Sequence, residues 1–190
     1  MFPLSSLREE GWELVEFSPL RDLHLPEHLD GIYLGGGYPE VYARELSANH
    51  SLLSELRQAA SDGVKILAEC GGFLYLHKTL EGEDKAVYPM AGVIDAEGYR
   101  TERLSRFGYL TLEEKPDSSR PLTGQIRGHE FHYWDSTNPG SDRLAVKPGN
   151  SRSWDCMYVT DTIAAGFPHL YYLSAPEWIR QFLGESGCSG

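Results

Sequence analysis

Val64-Lys-Ile-Leu-Ala-Glu-Cys-Gly-Gly-Phe-Leu-Tyr-Leu76 decides the fold. Val64 to Ala68 is an apolar run of strand length, Glu69-Cys70-Gly71-Gly72 interrupts it, and Phe73, Leu74 and Leu76 then follow at helical spacing. This predicts a buried strand that turns sharply into an apolar helix. Working outward, Asp30-Gly-Ile-Tyr-Leu34 is a second buried-strand candidate, and it runs straight into Gly35-Gly36-Gly37. A short helix is expected over Val41 to Ser47. Asn49 is then placed to cap a longer one, in which Leu52, Leu53, Leu56, Ala59 and Ala60 recur as far as Asp62-Gly63. Upstream, Leu4 to Gly11 reads as the end of a helix and Glu13-Leu-Val-Glu-Phe17 as a strand. Repeated strand-then-helix units mean an α/β fold around a mostly parallel sheet.

Beyond Met90 the texture changes. Phe107 to Leu112, Gly124 to Tyr133 and Met157 to Ala164 read as short strands between turn-rich stretches, extending the same sheet with antiparallel strands. Pro176 opens a last helix through Leu183. Residues 1–183 thus read as a single domain, and the polar, glycine-rich 184–190 as a tail.

The chain has 190 residues, a length that suits one core. At 41% hydrophobic and 24% charged residues, with 12% aromatics, it can bury a core and is unlike a disordered chain. A formal charge of −11 repels polyanions, so nucleic acid is not an expected partner. No apolar run approaches the ~18 residues of a membrane helix, and the start shows no basic-then-apolar export signal, so a cytoplasmic location is expected. Cys70, Cys156 and Cys188 are odd in number and far apart, unlike a disulfide framework or a metal knuckle.

Cys70 is the candidate for chemistry. A cysteine at the tip of a sharp strand-to-helix turn is held exposed, glycines allow close approach, and a helix N-terminus following it is expected to lower the thiol pKa. A small buried core cysteine is the alternative reading of the same residue. Gly35 to Gly37 end at the same carboxyl edge of the sheet, where α/β sites lie. Backbone donors at Gly36, Gly37 and Gly71 could then form an oxyanion hole. Neither GxxxxGK[ST] nor GxGxxG occurs, so no nucleotide site of those kinds is read. His129, Glu130 and His132 make H-E-x-H, one residue short of a zinc helix and placed on a strand, where alternation separates their faces. No metal is read there. Arg100, Arg103 and Arg106 suit either a basic contact or a solvated loop.

LGGGYPE at Leu34 to Glu40, AECGGFLYL at Ala68 to Leu76 and GHEFHYW at Gly128 to Trp134 carry a resemblance. In this order, and with the VEFSPLRDLHLP lead-in, the chain resembles the glutamine amidotransferase domain of the cobyrinic acid a,c-diamide synthase family, which amidates the corrin ring in cobalamin biosynthesis. The resemblance implies a class I amidotransferase-like, flavodoxin-like sheet flanked by helices. It implies that Cys70 takes the side-chain carbonyl of L-glutamine as a thioester and releases ammonia. It implies His169, in Ala165-Gly-Phe-Pro-His-Leu-Tyr-Tyr172, as the base. The acid that wider triad enzymes carry two residues later is Tyr171 here, so a Cys-His dyad is expected, oriented by packing or by a group left unassigned. His129 and Glu130 would lie on the glutamine pocket or on a face toward a synthetase domain, with a structural strand as the other reading.

The resemblance also sets what is expected elsewhere. No cofactor is expected in this chain. ATP and Mg belong to an ATP-dependent synthetase domain that would hold the tetrapyrrole acceptor, and nothing of that domain is found in these residues. A first strand before the Leu4 helix is likewise expected and not found. A non-catalytic docking module for a separate synthetase, or a cysteine hydrolase acting on another amide, remain open, as does a homodimer.

Overall fold

The structure is a computed structural model and describes residues 7–8, 11–104, 106–115, 124–149 and 152–184. In chain order the elements are β1 (Gly31–Leu34), α1 (Ala43–Ala48), α2 (His50–Ser61), β2 (Lys65–Glu69), α3 (Gly71–Tyr75), β3 (His77–Glu81), β4 (Val87–Pro89) and β5 (Ile94–Arg100). There follow β6 (Arg106–Glu114), β7 (Ile126–His132), β8 (Trp134–Ser136), β9 (Arg143–Val146), β10 (Ser153–Cys156), β11 (Tyr158–Val159), β12 (Ile163–Gly166) and β13 (His169–Tyr171). A 3₁₀ turn over Tyr172–Ser174 leads into α4 (Pro176–Leu183).

The central sheet has the order β1-β2-β12-β11, with β1, β2 and β12 parallel. β2 is buried on both faces, which is why its sequence reads as one apolar run. Ile66 and Ala68 join a cluster with Leu53 and Leu56 of α2 and Phe73 of α3. Leu67 packs on the other side with Leu110, Leu112, Ile126, Trp178, Ile179 and Phe182. Asn49 caps α2 as expected, its Oδ1 accepting from the Leu52 N–H at 3.3 Å. Truncating Leu56, fully buried at this seam, would cost about 2–5 kcal/mol.

Three expectations need correction. The later strands do not simply extend the parallel sheet: β10-β9-β6-β7-β13 is a separate antiparallel sheet, β4-β3-β5-β8 is a separate mixed sheet in which β3 and β5 run parallel, and of the antiparallel strands described β11 joins the central sheet. Met157 to Ala164 is not one strand, because a turn at 160–162 divides β11 from β12. Glu13 to Phe17 is irregular, for it has no ladder with β1 despite its apolar residues. A groove of about 810 Å³ separates that segment from β1, whose far edge pairs with no strand among the described residues. Most of the expected Leu4–Gly11 helix, like Cys188 and most of the tail, lies outside the described residues.

Candidate active site

β2 and β12 run side by side with Glu69 opposite Gly166, and the chain leaves β2 through Cys70, whose N–H donates to the Gly166 carbonyl at 2.8 Å. Cys70 has φ 49° and ψ −104°, a left-handed conformation that costs a residue bearing a Cβ about 1–3 kcal/mol. The turn is fixed on its far side by the Leu74 N–H on the Cys70 carbonyl at 3.0 Å. Glycine is required next to it: a Cβ on Gly71 would stand 2.7 Å from the Gly37 carbonyl oxygen and 2.8 Å from its nitrogen. The glycine loop after β1 therefore lies directly on the turn after β2, and the Gly72 N–H ties the two by donating to the Gly35 carbonyl at 3.1 Å.

A cavity of about 1180 Å³ opens over this junction, and Gly36, Gly37, Cys70, Gly71, His129 and His169 all line it. His169 arrives from β13, which lies antiparallel on β7 with His169 opposite His129. Their rings stack with centroids 4.9 Å apart. The His169 ring also lies against Gly36, where an added Cβ would overlap Cε1 and stand 3.1 Å from Nδ1 and 3.3 Å from Nε2. Three segments far apart in sequence, the two glycine turns and β13, thus meet around one thiol.

The resting charges differ from the sequence expectation. Burial pushes the Cys70 thiol up to about 12, and the nearby Glu40, Glu130 and Glu69 carboxylates push the same way. The Gly71 N–H beside the sulfur opposes this without overcoming it. The expected lowering by the following helix fails because α3 is only five residues long and the sulfur is largely out of water. His169 is pushed down to about 4, first by burial and then by the neighbouring His129 and His132. Thiol and imidazole are both neutral at pH 7.

Glu130 does not line the cavity. Alternation along β7 turns His129 outward and Glu130 and His132 inward. The Glu130 carboxylate, 2% exposed, accepts from Trp154 Nε1 at 3.4 Å and lies 3.9 Å from Arg106 Nε. It is therefore corrected from a substrate contact to a buried partner of the wall. His132 does reach the cavity, with its ring stacked 3.9 Å from Phe167. The three arginines form no common basic surface: Arg106 lies over Trp154 and Arg100 over Trp134.

Sequence reasoning missed Glu69 as a wall residue. Its carboxylate accepts from Tyr33 Oη at 3.0 Å, from the Leu170 N–H at 3.1 Å and from Tyr172 Oη. It lines the cavity beside Cys70 and His169. A charged residue closing the apolar run of β2 was the signal that could have marked it. Glu40 and Tyr38, from the loop after β1, complete this side of the wall.

The chain is matched over residues 3–176 by the CobB/CobQ-like glutamine amidotransferase domain family. It is 38% identical to a cobyrinate a,c-diamide synthase of Caldanaerobacter subterraneus over 98% of this chain and 42% of that protein. Identity to the enzyme of that name from Salmonella typhimurium is also 38%, over 95% of this chain and 40% of the relative. The chain spans about two fifths of the length of the curated relatives it matches. Among solved structures, a glutamine amidotransferase superposes with a TM-score of 0.61 at 19% identity, covering 94% of this chain and 89% of that one. Another from Thermotoga maritima gives 0.57 at 16% identity, covering 94% and 74%. At those identities the superpositions establish the fold, and the sequence match establishes the rest: the chain belongs to the CobB/CobQ-like glutamine amidotransferase domain family.

Proposed function

We propose that this chain is the glutaminase part of a cobyrinate a,c-diamide synthase, hydrolysing L-glutamine so that ammonia reaches an ATP-dependent synthetase domain. The carrying observation is the meeting of Cys70, on its strained turn, with His169 and the Gly36, Gly37 and Gly71 backbone in one cavity. Cys70 Sγ attacks the side-chain carbonyl carbon, and His169 takes the thiol proton. The N–H groups of Gly36, Gly37 and Gly71 receive the charge on the carbonyl oxygen. His169 returns the proton to the leaving nitrogen, the C–N bond breaks and ammonia departs. Water, deprotonated by the same imidazole, then cleaves the thioester to glutamate. His129, stacked on His169, shapes the cavity wall.

The acceptor is a carboxylate of a corrin-type tetrapyrrole, activated by ATP and Mg on the synthetase domain, and residues 1–183 act as one cytoplasmic amidotransferase domain. The relatives' greater length supports this partner, because amidation needs an activated acyl group. The test is labelling by a chloroketone analogue of glutamine, in which a bond forms from sulfur to the methylene carbon and chloride leaves. The label is expected on Cys70, lost in Cys70→Ala and kept in Cys156→Ala. A label that survives Cys70→Ala overturns the assignment.

A further inference from the structure

Nothing two residues after His169 can orient it by charge: Tyr171 stands there and points outward, 51% exposed. The acid comes from a different strand. His169 Nδ1 is 3.9 Å from Glu69 Oε2, with the two side chains 28% and 5% exposed. Three donors from three other elements fix that carboxylate: Tyr33 of β1 on Oε2, and the Leu170 N–H of β13 and Tyr172 of the 3₁₀ turn on Oε1. Burial raises the Glu69 pKa and makes its charge costly, and these three donors oppose that rise.

We infer that Glu69 is the positioning residue of the site, orienting His169 through Nδ1 and stabilising the imidazolium that forms when the ring takes the Cys70 proton. This deepens the glutaminase reading and rests on it. The geometry gives one strand end two tasks. β2 delivers the nucleophile at Cys70 and, one residue earlier, the acid that holds its base. With Nδ1 turned to Glu69, Nε2 is the nitrogen left for the thiol and the leaving group. At rest the imidazole is neutral, so the 3.9 Å contact is no ion pair; it becomes one only as the proton moves, when it lowers the energy of charge separation. The other titratable groups facing this pair act differently. His129 and His132 of β7 oppose a second positive charge, Glu130 of β7 favours the imidazolium through its field while its Oε1 accepts from Trp154, and Tyr33 and Tyr172 serve as donors to Glu69.

The experiment compares the full chain with Glu69→Gln and Tyr33→Phe. It follows Cys70 alkylation by the chloroketone across pH and steady-state glutaminase in the presence of synthetase domain. Glu69→Gln should lower kcat and the alkylation rate by about 10–10²-fold with KM little changed, and should move the ascending limb of the pH profile to lower pH, because the imidazolium loses the carboxylate that favours it and the thiol loses a neighbouring negative charge. Tyr33→Phe, which frees only the oxygen facing His169, should give a smaller loss in the same direction. An unchanged limb in both variants, or a loss confined to KM, overturns the assignment of Glu69. The glutaminase reading is separable: it fails if Cys70→Ala still carries the label, whatever Glu69→Gln does.

Discussion

Gly36→Ala tests the placement of His169, the proposed base, while leaving every backbone N–H in place. Gly36 lies outside the left-handed region, so alanine brings no backbone strain there. The three atoms nearest the added methyl group all belong to the His169 ring, which it would overlap at Cε1 while lying 3.1 Å from Nδ1. Restoring ordinary carbon contacts moves the ring by roughly 1 Å, and His129, stacked at 4.9 Å, blocks retreat across that face. A misplacement of ~1 Å costs on the order of 10²-fold in rate, about 2.7 kcal/mol of barrier. The assay is the second-order rate of Cys70 alkylation by the chloroketone, read by intact mass, beside a thermal melt. The expected result is a rate lowered by about two orders of magnitude with a nearly unchanged melting temperature. Gly37→Ala is the control for stability, since a Cβ there meets no atom within 4 Å. A Gly36→Ala protein that alkylates at the wild-type rate would refute the contact between glycine loop and base.

Gly71→Ala should act on the fold as well as on the site, because its methyl group meets the Gly37 backbone at 2.7 Å; overpacking of this kind costs about 1–3 kcal/mol, readable as a lower denaturant midpoint. His77 makes stability fall in acid. Buried, 2.7 Å from Ser136 Oγ and pushed down to about 4, it stays neutral in the fold while the unfolded chain takes a proton near 6.5. Its stabilisation is full above 6.5 and is lost, up to roughly 3 kcal/mol, as pH falls toward 4. His77→Gln should flatten part of that slope in urea titrations, and the remainder belongs in part to His169, which is shifted the same way; an unaltered slope refutes the role given to His77. The isolated chain should neither hydrolyse ATP nor amidate a corrinoid and should turn over glutamine slowly, with a separately expressed synthetase domain raising that rate. ATP-dependent amidation by these 190 residues unaided would refute the division of labour.

What the sequence made legible was local. The run from Val64 to Gly72 announces β2 and its turn because one short segment carries the burial, the break and the helix start. Asn49 announces α2 because a cap acts within three residues. The parallel core follows from repeating such units. The division into separate sheets did not follow, since alternation along β6 and β7 specifies two faces and says nothing of which sheet lies beneath. Glu13 to Phe17 failed for a related reason: its apolar residues suit a strand, and a strand needs a neighbour that its own sequence does not contain.

The site divides along the same line. Cys70, Gly36, Gly37 and Gly71 belong to turns whose geometry is set by adjacent residues, and these could be named from the chain. His169 follows from the resemblance, because the pairing of β13 on β7 that brings it to the cavity lined by Cys70 is a long-range fact. Charge was the least legible property. Beside a helix start, a thiol pKa reads as lowered; inside this cavity, burial and three carboxylates outweigh the one N–H that favours the thiolate, and the pKa rises to about 12. With both groups neutral at rest, the proposed proton transfer depends on whatever stabilises charge once the proton moves. In this structure the buried acid closest to the His169 ring is the residue written one position before the nucleophile.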